Sequence, residues 1–233
     1  MKTDTSPCFI CGHKNTFDIG MHFYSYFVCQ KCGHIFSAAD QRGLQDIRKR
    51  YDNKLYKLKN LRLQDALTGI HFQEETIRCN HRIELATPHL TGKTVLDVNC
   101  ESGKSVEKLR ENGVEAYGID NDMVYEAYWE EKPYFKRTTL QKYPKNHRFD
   151  NIVLYETLEY VFCPYGFVLE CYQRLNEGGR IIAIVPINNN PNDEFFARAH
   201  EFSDQSIWTF AKECDPKAQV IRTDEEATIV LNR

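Results

Sequence analysis

The chain has 233 residues, the length of one large domain or two small ones. It is 42% hydrophobic and 27% charged, with 12 Gly and 8 Pro, which excludes collagen, low-complexity disorder and coiled coil. Its 30 Lys and Arg stand against 33 Asp and Glu, a net charge of −3 without the basic excess of a dedicated nucleic-acid binder. No apolar run approaches the ~18 residues of a membrane span. The opening MKTDTSPCFICGHKN lacks the apolar stretch of a secretory signal, so we expect a soluble, cytoplasmic protein with no membrane partner.

Residues 1–40 read as a zinc ribbon. Four of the nine cysteines fall as Cys8-x2-Cys11 and Cys29-x2-Cys32, with 17 residues between the pairs. Two residues between thiolates let one tight turn aim both sulfurs at one ion, and four thiolates fill the tetrahedron of a structural Zn2+. Gly12 and Gly33 each follow the second Cys of a pair, where a positive φ completes the turn. His13 and His34 are available as substitute ligands. The scattered Cys79, Cys100, Cys163, Cys171 and Cys214 read as small buried hydrophobes. The aromatic stretch Met21–Val28 is β-prone and predicts a strand.

Residues 41–92 read as a helical linker. Leu44, Ile47, Tyr51 and Leu55 recur at helical spacing. Arg42–Arg62 holds eight Lys/Arg and two Asp, a solvated helix face in the first instance and an RNA contact in the second. Net charge is +4 over 1–90 and −7 over 91–233.

From residue 93 the texture becomes that of a third domain, 93–233. Strands are predicted over 94–99, 115–120, 134–139, 149–156 and 179–187, with helices over 104–112, near 122–131, and near 164–176. A Ser/Asp-capped helix over 203–214 and a closing strand pair, QVIRTDEE and ATIVLNR, complete it. Strand–helix alternation of this kind predicts an α/β sheet, mostly parallel, with helices on both faces. The ligand of such a sheet sits beyond the carboxyl ends of its strands. There the first strand ends Asp97-Val-Asn-Cys-Glu-Ser-Gly103 and the second ends at Asp120, 23 residues after Asp97. A carboxylate at the end of the second strand is placed to accept both hydroxyls of a ribose. The turn lacks the G-x-G-x-x-G of a dinucleotide site, which argues against NAD and FAD. The bland alternatives are that Asp97 caps the next helix and Asp120 is an ordinary turn residue.

These residues resemble a family. VLDVNCESGKSVEKLRENGVEAYGID is similar to motif I and the acidic second strand of class I S-adenosylmethionine-dependent methyltransferases. FDNIVLYETLEYVFCP resembles their fourth strand with the Leu-Glu-His-Val-x-x-Pro stretch, and RLNEGGRIIAIVP their fifth. HEFSDQSIWTFAKE resembles a later segment, and a CxxCG ribbon precedes the core in a subgroup linked to sugar and small-metabolite methylation. The resemblance implies a Rossmann-like seven-stranded sheet with its last strand antiparallel. It implies S-adenosylmethionine as cofactor and a small-molecule or sugar acceptor. Asp97, Asn99 and Gly103 would frame the methionine part, and Asp120 would hold the ribose with Asn121 beside the adenine. Glu156 would face the cofactor, and Glu159 and Tyr160 would take the Glu-His position near the acceptor, against the alternative of a solvated helix start. His200 reads as a core or surface imidazole. Asn188–Asp193 is the candidate substrate loop.

The family pattern carries Gly where this chain has Asn99 and Glu101, Gly-Asp where it has Thr138-Thr139, and His where it has Tyr160. Two outcomes follow for Glu101: its side chain turns to solvent or Lys104 and leaves the pocket open, or it fills the space that Gly would leave. A non-catalytic relative acting as a scaffold, and an RNA methyltransferase, are the alternative functions.

Overall fold

The computed structural model describes residues 6–14, 16–18, 26–37, 70–122, 129, 132–187 and 198–233. The basic segment Arg42–Arg62, the Asn188–Asp193 loop and most of the helix expected near 122–131 lie outside the described residues.

A seven-stranded sheet forms the centre. Its strands are β4 (Thr94–Val98), β5 (Glu115–Asp120), β6 (Phe135–Arg137), β7 (Phe149–Tyr155), β8 (Leu175–Pro186), β10 (Gln219–Arg222) and β11 (Glu226–Asn232). Their order is β10-β11-β8-β7-β4-β5-β6. The β4–β5, β4–β7, β5–β6 and β7–β8 pairs are parallel, and β11 runs antiparallel to both β8 and β10. This is the Rossmann-like seven-stranded sheet, mostly parallel with its last strand antiparallel, that the strand–helix alternation and the motif order predict. The sheet switches direction at β4, whose two neighbours leave it toward opposite edges, so the crevice beyond its carboxyl end is the expected ligand position.

Both faces are covered, which is why the strands read as unbroken apolar runs. On one face Val95, Val153, Tyr155, Ile182 and Ile184 pack against Cys79, Ile83 and Ala86 of α1 (Ile70–Ala86) and Val106 and Leu109 of α2 (Lys104–Glu111). On the other, Leu96, Ile152, Leu154, Ile181, Ala183 and Val185 meet Val168 and Cys171 of α3 (Pro164–Tyr172) and Ile207, Phe210 and Ala211 of α4 (Asp204–Cys214). Neighbouring residues of β4, β7 and β8 thus alternate between the two cores with the period of a strand. Ser203 caps α4 through a reciprocal bond with Ser206, the predicted start signal.

The cysteine-bearing segment forms β1 (Thr16–Asp18), β2 (Tyr26–Cys29) and β3 (Ile35–Ser37), and its sheet takes a fourth strand from far along the chain: β3 pairs with β9 (His200–Glu201). Ser203 Oγ donates to the Cys32 carbonyl, and Tyr165 Oη donates to the Ile10 carbonyl at 2.7 Å. Phe36, fully buried, meets the ring of Phe9 edge-on at 5.3 Å, and Phe9 in turn touches Phe162 and His200. The ribbon therefore shares one hydrophobic core with the large sheet.

A histidine pair sits in that junction. His34 Nε2 lies 3.0 Å from His200 Nδ1, while His200 Nε2 faces the Phe162 carbonyl at 3.2 Å. A carbonyl only accepts, so His200 carries its proton on Nε2 and takes a hydrogen bond from His34 on Nδ1. Burial drives both imidazoles toward the neutral form, His200 to about 4. His34 is thereby engaged with His200 and turned away from a metal-ligand role.

Candidate active site

The carboxyl ends of β4, β5 and β7 bring Asp97, Asp120 and Glu156 to one edge of the sheet. Asp97 is 1% exposed, and neither of its carboxyl oxygens has a hydrogen-bond partner. Burial pushes its pKa up to about 8, against the pull of the nearby Arg82 guanidinium. A group in that state is costly to the fold and suited to meeting a cation. It caps no helix: the residue at the start of α2 is Gly103.

Asp120 is held differently. Its two oxygens accept the backbone N–H groups of Glu101, at 3.0 Å, and Asp122, at 2.8 Å. Two fixed donors orient the carboxylate and leave each oxygen a further lone pair for a ligand hydroxyl. Burial nevertheless raises its pKa. Asn121 beside it is exposed.

The turn between Asp97 and α2 is built from left-handed residues. Asn99, Glu101 and Gly103 have φ of 61°, 52° and 81°. Asn tolerates this region, whereas for Glu the cost is roughly 1–2 kcal/mol. The turn is anchored by the Asn99 and Cys100 N–H groups, which both donate to the Ile119 carbonyl at the end of β5. A side chain at Gly103 would run into the Phe135 ring, with a Cβ 2.2 Å from its tip, so in this fold the glycine makes room for Phe135.

Glu101 follows neither of the two expected courses. Its carboxylate pairs with Arg78 Nη2 at 3.1 Å and lies 3.7 Å from Arg82 Nη1, both on α1. Arg82, 9% exposed, also donates to Glu156 at 2.8 Å and lies over the Tyr155 ring. Burial works against both charges, yet the mutual attraction keeps Arg82 protonated and holds Glu156 below the usual carboxylate range. Glu156 is itself left-handed, at φ 46°. His81, next to Arg82 in α1, reaches Glu226 at the start of β11. Helix α1 is thus tied by three basic side chains to acids of the carboxyl edge.

Beyond Glu156, a 3-10 turn spans Leu158–Tyr160. Glu159 is fully buried rather than solvated, with both oxygens unpartnered, and burial raises its pKa to about 8. Burial likewise raises the neighbouring phenol of Tyr160, which is hydrogen-bonded to Arg198. Arg198 reaches the buried Glu201 at 3.3 Å. The Ala199 N–H bonds to the Glu159 carbonyl, so the segment that carries β9 fixes this turn.

A cleft of about 560 Å3 opens at the other end of the strands, among Tyr117, Tyr134, Lys136, Tyr143 and His147. Neither Asp97 nor Asp120 lines it, and the buried acids mark the site better than volume does.

Cys8, Cys11, Cys29 and Cys32 lie together in the ribbon, with every Sγ within 4.8 Å of the others. The closest pairs, Cys8–Cys32 and Cys11–Cys29, are 3.6 and 3.5 Å apart. Sulfurs of a tetrahedral zinc site with bonds of about 2.3 Å sit roughly 3.8 Å from one another, so the set fits that ion. Gly12 and Gly33 adopt φ of 65° and 67° and return their N–H groups to the Cys8 and Cys29 carbonyls, closing the two knuckles as expected. Hydrogen bonding from the Cys32 thiol lowers Cys8 to about 5 and raises Cys32 in turn.

Sequence reasoning missed Arg78, Arg82 and Arg198. The first two stand four residues apart on a predicted helix, a spacing that aims them at one place, but charge on a helix reads first as a solvated face.

The model of a family described as a methyltransferase domain matches residues 71–224. No curated protein sequence matches the chain. Among solved structures, the Burkholderia thailandensis 1,6-didemethyltoxoflavin-N1-methyltransferase, with 1,6-didemethyltoxoflavin and S-adenosylhomocysteine bound, is similar at a TM-score of 0.63 and 11% identity, over 94% of this chain and 99% of that one. An S-adenosylmethionine-dependent methyltransferase from Archaeoglobus fulgidus gives 0.58 at 12% identity, over 75% and 99%. The magnesium protoporphyrin IX methyltransferase of Synechocystis, with bound S-adenosylmethionine, gives 0.55 at 15% identity, over 84% and 99%. At these identities the likeness is one of fold.

Proposed function

This chain belongs to the methyltransferase-domain family and is an S-adenosylmethionine-dependent methyltransferase; from that premise we propose that it methylates a small-molecule acceptor, sugar-type molecules included, at the carboxyl edge of its seven-stranded sheet. The observation that carries the placement is the pairing of unlike acids on adjacent parallel strands. Asp120 is held by two backbone donors, and Asp97 is buried with both oxygens free. A ribose suits the first, and an ammonium group suits the second.

In this reading Asp120 accepts the two ribose hydroxyls, with Asn121 beside the adenine. Asp97 meets the amino group, Asn99 and Gly103 shape the turn, and Arg82 and Glu156 close the far side. The cofactor supplies a methyl group on a sulfonium, an electrophile that needs alignment more than activation. The chain's own contribution is to orient the nucleophile and hold its proton. Glu159 is the candidate catalytic residue, an acid whose pKa burial lifts to about 8, within reach of neutral pH, with Tyr160 positioned by Arg198 next to it. The small-molecule class agrees with the acceptors named for the Burkholderia and Synechocystis neighbours. The four cysteines hold a structural Zn2+, which leaves the ribbon as a buttress for the 158–162 turn. Against RNA as acceptor stands the ribbon's burial against the large sheet.

Calorimetry with S-adenosylhomocysteine tests the placement without the acceptor. Asp120→Ala removes both ribose bonds, each worth roughly 1.5–3 kcal/mol, so the affinity falls at least tenfold. Unchanged binding in that variant puts the ribose elsewhere. Label transferred from the cofactor's methyl group to RNA, and to none of a panel of nucleotide sugars and small metabolites, overturns the acceptor class.

A further inference from the structure

Glu101 occupies a position where the family pattern has glycine, in a backbone conformation that disfavours it, and its carboxylate is nonetheless paired through Oε2. It spans two guanidinium groups four residues apart on α1. Arg82 is the buried one of the two, shared with Glu156 and within electrostatic reach of Asp97. Arg82 and Glu101 both lie within electrostatic reach of Asp97, so a ligand whose amino group sits at Asp97 enters the field of this pairing.

The amino-acid end of S-adenosylmethionine is a zwitterion, one ammonium and one carboxylate. Asp97, the orphaned buried acid, answers the ammonium. The carboxylate needs the guanidinium groups, and Glu101 already holds them from within the chain. A second carboxylate entering there meets a like charge at close range and must compete with Glu101 for the same two cations. We propose that Glu101 stands in for the cofactor's own carboxylate, so that the site recognises the adenosyl and amino groups of its cofactor and gains nothing from the carboxylate. The inference rests on the placement of the cofactor at Asp97 and Asp120.

The test compares two ligands that differ in one group: S-adenosylhomocysteine and S-adenosyl-3-thiopropylamine, which lacks only the carboxylate. Calorimetry is run on the full chain, wild type and Glu101→Gln. The amide keeps the size of the side chain at a half-buried position and removes its charge. Wild type is expected to bind the amine at least as tightly as S-adenosylhomocysteine. In Glu101→Gln, S-adenosylhomocysteine gains about tenfold or more while the amine does not, so the order of the two ligands reverses. The ratio between ligands and variants isolates the clash of the two carboxylates from any general change in affinity. Wild type that prefers S-adenosylhomocysteine tenfold, with the same preference in Glu101→Gln, overturns the inference and leaves the cofactor placement standing. If neither ligand binds either protein, the cofactor placement falls and takes the inference with it.

Discussion

Asp97→Asn is expected to make the protein more stable at pH 8 while weakening its affinity for S-adenosylhomocysteine. The Asp97 carboxyl has a pKa of about 8 in the fold, against about 4 in an unfolded chain. Between those values the unfolded state has lost the proton and the folded state retains it, so folding must take up a proton. The stability associated with the neutral acid is therefore complete below about pH 4 and is lost as the pH rises toward 8. Asparagine does not titrate, so the variant escapes that loss. The gap between variant and wild type should open from near zero at pH 4 to a few kcal/mol, with an upper limit on the order of 1.4 kcal/mol for each pH unit between the two values, and flatten beyond pH 8. Urea melts at pH 5 and pH 8 read the difference directly. A gap that does not grow with pH would mean that Asp97 is ionised in the fold. A stable variant that also binds the ligand as before would remove Asp97 from the site.

Removing the metal should have a second large effect, and an uneven one. One zinc per chain is expected in protein purified without chelators, and its absence would defeat the reading of the four cysteines. The apparent binding energy of structural zinc in small peptides is about 10–16 kcal/mol, and a segment the size of this ribbon buries too little to fold without such help. Chelation should raise amide exchange over residues 6–14 and 26–37. Because β3 pairs with β9 and the Ala199 N–H holds the Glu159 carbonyl, exchange should also rise over 158–162 and 198–202. The central strands β4, β5 and β7 draw their burial from both faces of the large sheet and should keep their protection, along with affinity for S-adenosylhomocysteine. Uniform loss of protection would show that the ribbon supports the whole sheet, and protection unchanged at 158–162 would show that it does not support that turn.

The strands of the large sheet were legible because they are covered on both faces. Runs such as IVLY and IIAIV have few other readings, and their order with the intervening helices fixes the sheet. The ends of elements were less so: β8 begins at Leu175 in place of 179, and the helix expected through 176 stops at Tyr172. Strand β9 left no trace in the sequence. It consists of one His and one Glu, and only its distant partner β3 makes it a strand. The acids of the candidate site were legible from their place at strand ends. Their electrical states were not, because those depend on which cations tertiary packing brings near. Glu101 illustrates this: Lys104 was its neighbour in sequence, and α1 supplied Arg78 and Arg82 from more than a turn of fold away.

The pairing of Ile35 with Glu201 and of Phe36 with His200 also sets an order of events at the ribosome. The four thiols emerge well before β9 and can gather around an ion in its absence. The outer edge of β3, however, has no partner until residues near 200 have been synthesised. A bare strand edge flanked by Phe and Ile is a ready template for a neighbouring chain. During translation the half-built ribbon is thus exposed to wrong pairing, and the synthesis of β9 ends that exposure. Truncations that stop short of Ala199 should consequently fail by aggregating through this edge even when the cysteines are intact and metal is plentiful.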